Sequence, residues 1–136
     1  MTDKQSPYVV WKSEEQIRSR IQELARRIQK DAGESELYVM GVLRGAFIFM
    51  ADLVRAMETP VHCQFINIYY KDSALNDNIV KEIEETQIYP AQPLTGKHIL
   101  LVATVLDTGI IMDHLLGHIR EQGVKSVRIV TLIDKP

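Results

Sequence analysis

Cysteine is almost absent, Cys63 being the only one. That excludes a disulfide within the chain and a metal cluster built on thiolates, and it leads us to expect a reducing, cytoplasmic setting. No apolar run approaches the roughly 20 residues that span a bilayer, and the polar opening Met1 to Ser6 lacks the apolar stretch of a signal peptide, so no membrane partner is expected. An excess of one charge is missing too: 16 Lys and Arg stand against 18 Asp and Glu, for a formal net charge of -2. Without a basic field nothing steers the chain toward a polyanion, and nucleic acid is not an expected partner. Glycine is sparse, and no Gly-x-Gly-x-x-Gly follows an apolar run, which argues against a dinucleotide-binding Rossmann domain.

What is present reads as an ordinary globular chain. A length of 136 residues with 46% hydrophobic and 25% charged residues suits a single domain over residues 1–136 with one stable core. Ser13 and Gln16 form a Ser-x-x-Gln capping box, and Ile17, Ile21, Leu24 and Ile28 recur at helical spacing. The pattern predicts a helix from Ser13 to about Lys30, stopped by Gly33. Leu37 to Leu43 reads as a buried strand. A helix follows after Arg44 and Gly45, carrying Phe47, Met50, Leu53, Val54 and Met57 and ending before Pro60. Val61 to Tyr70 forms the next strand, with Val61, Cys63 and Phe65 alternating so that Cys63 is expected to be a buried small hydrophobe.

From Lys71 to about Lys97 the regular pattern stops. The stretch is polar, with prolines at 90 and 93, and reads as a flexible flap or a disordered segment with a short hairpin around Ile79 to Ile88. His98 to Ala103 is a third buried strand. Asp107-Thr108-Gly109 then opens a helix with Ile111, Leu115 and Ile119, capped by Gly123, and Ser126 to Ile133 makes a last strand. Strands alternating with helices imply an α/β fold: a mainly parallel, twisted sheet with helices on both faces.

In such a sheet ligands gather outside the carboxyl ends of the strands, where helix N-termini present free N–H groups. Two loops meet that condition. In the first, Gly45 lets backbone approach an anion and Arg44 supplies a fixed charge. In the second, the amides of Asp107 to Ile111 can cradle a phosphate. Each is also a common purely structural turn.

The string Met40-Gly41-Val42-Leu43-Arg44-Gly45-Ala46-Phe47-Ile48-Phe49-Met50-Ala51-Asp52-Leu53-Val54-Arg55 resembles the hypoxanthine-guanine phosphoribosyltransferase family. The likeness extends through Glu14 to Ile17, Phe65 to Tyr69, Leu94 to Lys97 and Thr131 to Pro136, almost the whole chain. It implies a type I phosphoribosyltransferase fold, here without most of the C-terminal hood. It implies that Leu43, Arg44 and Gly45 bind the pyrophosphate of phosphoribosyl pyrophosphate (PRPP), through a non-proline cis peptide joining Leu43 and Arg44. It assigns the ribose 5-phosphate to Asp107, Thr108, Gly109, Ile110 and Ile111, with Asp107 as the base near the purine ring nitrogen. Lys135 matches the lysine that contacts the exocyclic oxygen of the purine, and Tyr69 or Tyr70 falls where a mobile loop begins. Mg2+ is the cofactor implied for an active member. PRPP, a nucleotide or phosphate is the ligand, and a second copy or a related chain is the partner.

The chain also departs from the family pattern. Two adjacent acids that hold the ribose hydroxyls and help position magnesium are replaced by Ala103-Thr104, and the hydroxyl residue ending the second loop by Ile111. Hydrogen bonds to charged groups contribute about 1.5–3 kcal/mol each, so losing both carboxylates costs roughly 10²- to 10⁴-fold in affinity. The reading is a diverged homologue with a retained scaffold, weak or inactive alone. The alternatives are an active enzyme completed by a partner chain, and a regulatory or structural subunit. Elsewhere, His114 and His118 are ordinary helix residues rather than a metal pair, since no third ligand is apparent, and Asp52 pairs with Arg55 on one helix. Tyr8, Val9 and Trp11 pack an N-terminal arm onto the core or onto a partner.

Overall fold

The computed structural model describes residues 7–106 and 109–135. Helix α1 (Glu14–Ala32) begins at the expected capping box. The Gln16 amide donates to Ser13 Oγ at 3.1 Å, the Ser13 amide donates to Gln16 Oε1 at 2.9 Å, and Gly33 closes the far end at φ 59°. Strand β1 (Leu37–Val42) leads into α2 (Phe47–Arg55), which ends earlier than its apolar spacing implies. Gly41 fits where the two meet, because a Cβ there would stand 2.4 Å from Met50 Sδ and the buried Met50 side chain would have to shift. Asp52 and Arg55 form the expected ion pair.

Strands β2 (His62–Leu75) and β3 (Asn78–Tyr89) extend the short hairpin expected around Ile79 to Ile88 over most of the stretch from Lys71, and residues 90–97 stay outside both strands. They make one long antiparallel hairpin, joined by the two residues Asn76 and Asp77 at φ 49° and 63°. Asn and Asp tolerate this left-handed turn, which matches the twist of the paired strands. Opposite charges face each other across the ladder: Lys81 Nζ lies 2.7 Å from Asp72 Oδ1. The register passes from Tyr69↔Glu85 to Tyr70↔Ile83, leaving Glu84 as the extra residue of a bulge. That insertion breaks the period-two alternation and hides the strand from pattern reading.

After β4 (His98–Leu106) come α3 (Ile110–Arg120) and β5 (Ser126–Asp134). Helix α3 stops at Arg120, with Gly123 (φ 75°) in the turn beyond it. The five-stranded sheet has the order β3-β2-β1-β4-β5, parallel except for the β2–β3 pair. Ile21, Ala25, Phe49, Met50 and Leu53 from α1 and α2 pack one face over Val39, Leu100 and Val102. Met112, Leu115 and Ile119 from α3 pack the other over Met40, Ile66 and Leu101. The result is a single-domain α/β fold, as the alternation of elements predicts.

One detail of the core differs from expectation, and of the two packings open to the N-terminal arm the one onto the core is not made. Cys63 is exposed, and its neighbour Gln64 is 1% exposed instead. Gln64 is on the α3 side of the sheet, in register with Met40, whereas Cys63 is one strand outward from the fully buried Val39. At this height the two helices of the other face cover β1 but leave β2 open. The arm residues Tyr8, Val9, Val10 and Trp11 are all exposed and do not pack onto the core.

Candidate active site

Strands β1 and β4 are adjacent and parallel, so the turns that follow them leave the same edge of the sheet. Their helices pack on opposite faces, which makes the gap between the two turns the switch point where an open α/β sheet binds ligands.

The first turn, residues 43–46, is pinned at several points. The Leu43–Arg44 peptide is cis, as the family resemblance implies. The Leu43 amide donates to Ile66 O at 2.8 Å and the Ala46 amide to Val42 O at 3.1 Å. The Phe47 amide reaches back to Arg44 O at 3.4 Å. Since C=O and N–H point in opposite directions across a trans peptide, drawing the Arg44 carbonyl toward the helix turns the Gly45 N–H away from it. The amides of Arg44 and Gly45 donate to no partner among the described residues, and both residues are exposed. Unpaired N–H groups and the N-terminus of α2 at this turn can receive an anion, and Arg44 carries a positive charge on the same turn.

A hydroxyl that sequence reading registered only as a departure completes this turn. Thr104, near the end of β4, donates from Oγ1 to Gly45 O at 2.7 Å. Thr131 on β5 in turn donates from Oγ1 to Thr104 O at 3.1 Å, with Ile133 O at 3.0 Å as a second acceptor. Sequence reading assigned Thr131 no role. Its one local signal is a hydroxyl residue near the carboxyl end of a strand next to β4. The preceding Ala103 is 7% exposed, its methyl packed in the core.

Asp107 and Thr108, the heart of the second turn, lie outside the described residues. Gly109 N-caps α3 in the left-handed region at φ 81°, and its carbonyl accepts from the Asp113 amide at 2.8 Å. Ile110 and Ile111 are 71% and 41% exposed on the first turn of that helix, two apolar side chains facing water beside a helix N-terminus. Lys135 arrives at the same edge, its amide donating to Leu106 O at 2.8 Å. The structure therefore gathers Leu43, Arg44, Gly45, Gly109, Ile110, Ile111 and Lys135 at the carboxyl edge of β1, β4 and β5.

Other candidates fall elsewhere. His114 Nε2 lies 2.8 Å from Thr86 Oγ1, bridging α3 to β3, and among the described residues no three His, Cys, Asp or Glu side chains come together to hold a metal. Tyr69 and Tyr89 share a 2.9 Å hydrogen bond across the hairpin, and the Tyr89 phenol is raised above its ordinary 10.0, chiefly by that bond. An open groove of about 400 Å³, lined by Arg27, Asp31, His98, Ser126 and Arg128 among others, lies at the amino ends of β4 and β5, away from both turns. Exposed amides on a rim can bind an anion without a deep cavity. No helix among the described residues is long and apolar enough to cross a membrane.

The chain has known relatives. A family model for the phosphoribosyl transferase domain matches residues 12–136. The hypoxanthine-guanine phosphoribosyltransferase of Bacillus subtilis is 31% identical over 125 residues, covering 91% of this chain and 67% of its own. The hypoxanthine phosphoribosyltransferase of Haemophilus influenzae is 33% identical over 131 residues, covering 91% and 69%. The crystal structure of a hypoxanthine-guanine phosphoribosyltransferase from Bacillus anthracis superposes with a TM-score of 0.75 at 31% identity, over 95% of this chain and 73% of that one. With the family model spanning nearly the whole chain and the relatives agreeing in fold and in sequence, the chain belongs to the phosphoribosyltransferase family and is a homologue of its hypoxanthine-guanine members.

Proposed function

We propose that this chain is a diverged purine phosphoribosyltransferase homologue whose PRPP-binding scaffold is retained and whose unaided transfer activity is weak or lacking. The observation that carries the reading is the end of β4. A buried methyl at Ala103 and a hydroxyl committed to Gly45 at Thr104 stand where the family pattern has two acids for the ribose hydroxyls. The anion cradle at Arg44 and Gly45 supports retention of the pyrophosphate half of the site. Exposed Ile110 and Ile111 weaken the phosphate half, because they offer no side-chain donor next to the helix N-terminus. Asp107 is the base in any residual transfer, taking the proton that the purine ring nitrogen gives up, and Lys135 faces the purine's exocyclic oxygen. A cytoplasmic setting and a role in purine salvage belong to the same reading.

Turnover and binding separate the outcomes. Isothermal titration with PRPP should show binding, and assays with hypoxanthine, guanine and xanthine should show turnover far below that of a complete family member. Turnover at a typical enzyme rate of about 1–10³ s⁻¹ by the isolated chain would end the proposal of a weakened site.

The second reading, activity completed by another chain, rests on two surfaces. Strand β5 pairs only with β4, leaving its other edge open among the described residues, and Phe47 and Ile48 are 54% and 62% exposed beside the first turn. Activity that appears only when a second, related chain is added would favour it.

A further inference from the structure

The magnesium implied by the family needs oxygen donors, and Mg2+ is commonly held by one or two carboxylates together with the phosphates of its ligand. At the end of β4 the chain offers neither carboxylate. Ala103 presents a methyl to the core, and the Thr104 hydroxyl donates to Gly45 O. These residues do not fit the ion.

We infer that Thr104 is a positioning residue that holds the first turn in its anion-binding form by a neutral hydrogen bond, so that the turn binds a pyrophosphate-type anion without magnesium. The inference rests on the anion-scaffold reading above and names the ionic form of ligand the scaffold takes.

The argument follows the peptide groups of the turn. The Gly45–Ala46 peptide is fixed at both ends, its carbonyl by Thr104 Oγ1 and its N–H by Val42 O. Fixing that plane limits the neighbouring Arg44–Gly45 peptide, whose N–H faces outward. The Thr104 carbonyl is itself bound by Thr131, so a chain of hydrogen bonds runs from β5 through β4 to the turn. An ionised carboxylate at position 104 has no proton to donate and would face the Gly45 carbonyl acceptor to acceptor. It would also place a negative charge beside the cradle, where a bound anion then needs a cation to offset it. A hydroxyl avoids both effects and leaves Arg44 as the charged residue of the turn itself.

The test is isothermal titration of the full chain with sodium pyrophosphate, once in EDTA and once in excess Mg2+. The expected result is binding in EDTA at least as tight as in magnesium. Thr104→Ser should keep that affinity, while Thr104→Val should weaken it about 2- to 12-fold in a chain that still folds cooperatively, the loss of one hydrogen bond to the turn. Thr104→Asp should lose binding in EDTA and regain part of it with magnesium. Binding by the unaltered chain only when Mg2+ is present would overturn the inference and leave the scaffold reading standing, as would a folded Thr104→Val chain with unchanged affinity. No heat under either condition would overturn both.

Discussion

Gln64 offers a test of the fold that is independent of the site. Its side chain is 1% exposed, and neither amide atom has a hydrogen-bond partner among the described residues. An amide moved from water into an apolar surrounding without a partner costs about 1–3 kcal/mol on mutational scales. Gln64→Met keeps the unbranched shape, removes both unsatisfied atoms and returns an apolar side chain to a face already lined by Met40, Ile66 and Leu101. The expected gain is about 1–3 kcal/mol. For a chain of this size that raises Tm by roughly 3–5 °C per kcal/mol. In urea the midpoint should rise with an unchanged slope, because the surface exposed on unfolding is nearly the same. Pyrophosphate affinity should not move, since Gln64 lies partway along β2 and contributes nothing to either turn. A midpoint that stays put or falls would refute the reasoning, by showing that something satisfies the amide in the native state.

Four further outcomes can be measured directly. Gly41→Ala should lose about 1–3 kcal/mol in a urea melt, because the new Cβ meets Met50 Sδ at 2.4 Å and Met50 is itself buried. Arg44→Ala should weaken pyrophosphate about 10- to 100-fold by titration calorimetry, the loss of one charge-assisted hydrogen bond, with no change in folding. Tyr69→Phe should bring the Tyr89 phenol back toward 10.0 in an ultraviolet titration, since the Tyr69 bond is the largest cause of its rise. In the unaltered chain that bond favours the protonated phenol, so its contribution is fully present below pH 10.0 and is lost as pH rises through the higher folded value. Phe47→Ser should shift the sedimentation coefficient toward the monomer if α2 docks a second copy, and leave it unchanged otherwise.

Much of the fold is legible in local chemistry. Ser13 and Gln16 fix the start of α1 because both capping partners are three residues apart, and Gly33 ends it because its backbone takes a positive φ. The cis peptide and the first turn follow from the string around Arg44-Gly45 and its family likeness. The length of the hairpin was obscured, because the bulge at Glu84 interrupts alternation and its polar outer half, where Asp72 pairs with Lys81, reads from composition as a loop. Asn76-Asp77 was the signal for it.

By itself the sequence determined the elements, their alternation and the identity of the groups carried on each turn, since these depend on contacts a few residues apart. Tertiary structure alone decided which side of β2 is buried, exchanging Cys63 for Gln64, because coverage depends on how far the helices of each face reach across the sheet. It alone decided what Thr104 does. A hydroxyl 59 positions along the chain from Gly45 becomes its hydrogen-bond donor only when β4 is laid beside β1, and no pattern within either segment encodes that meeting.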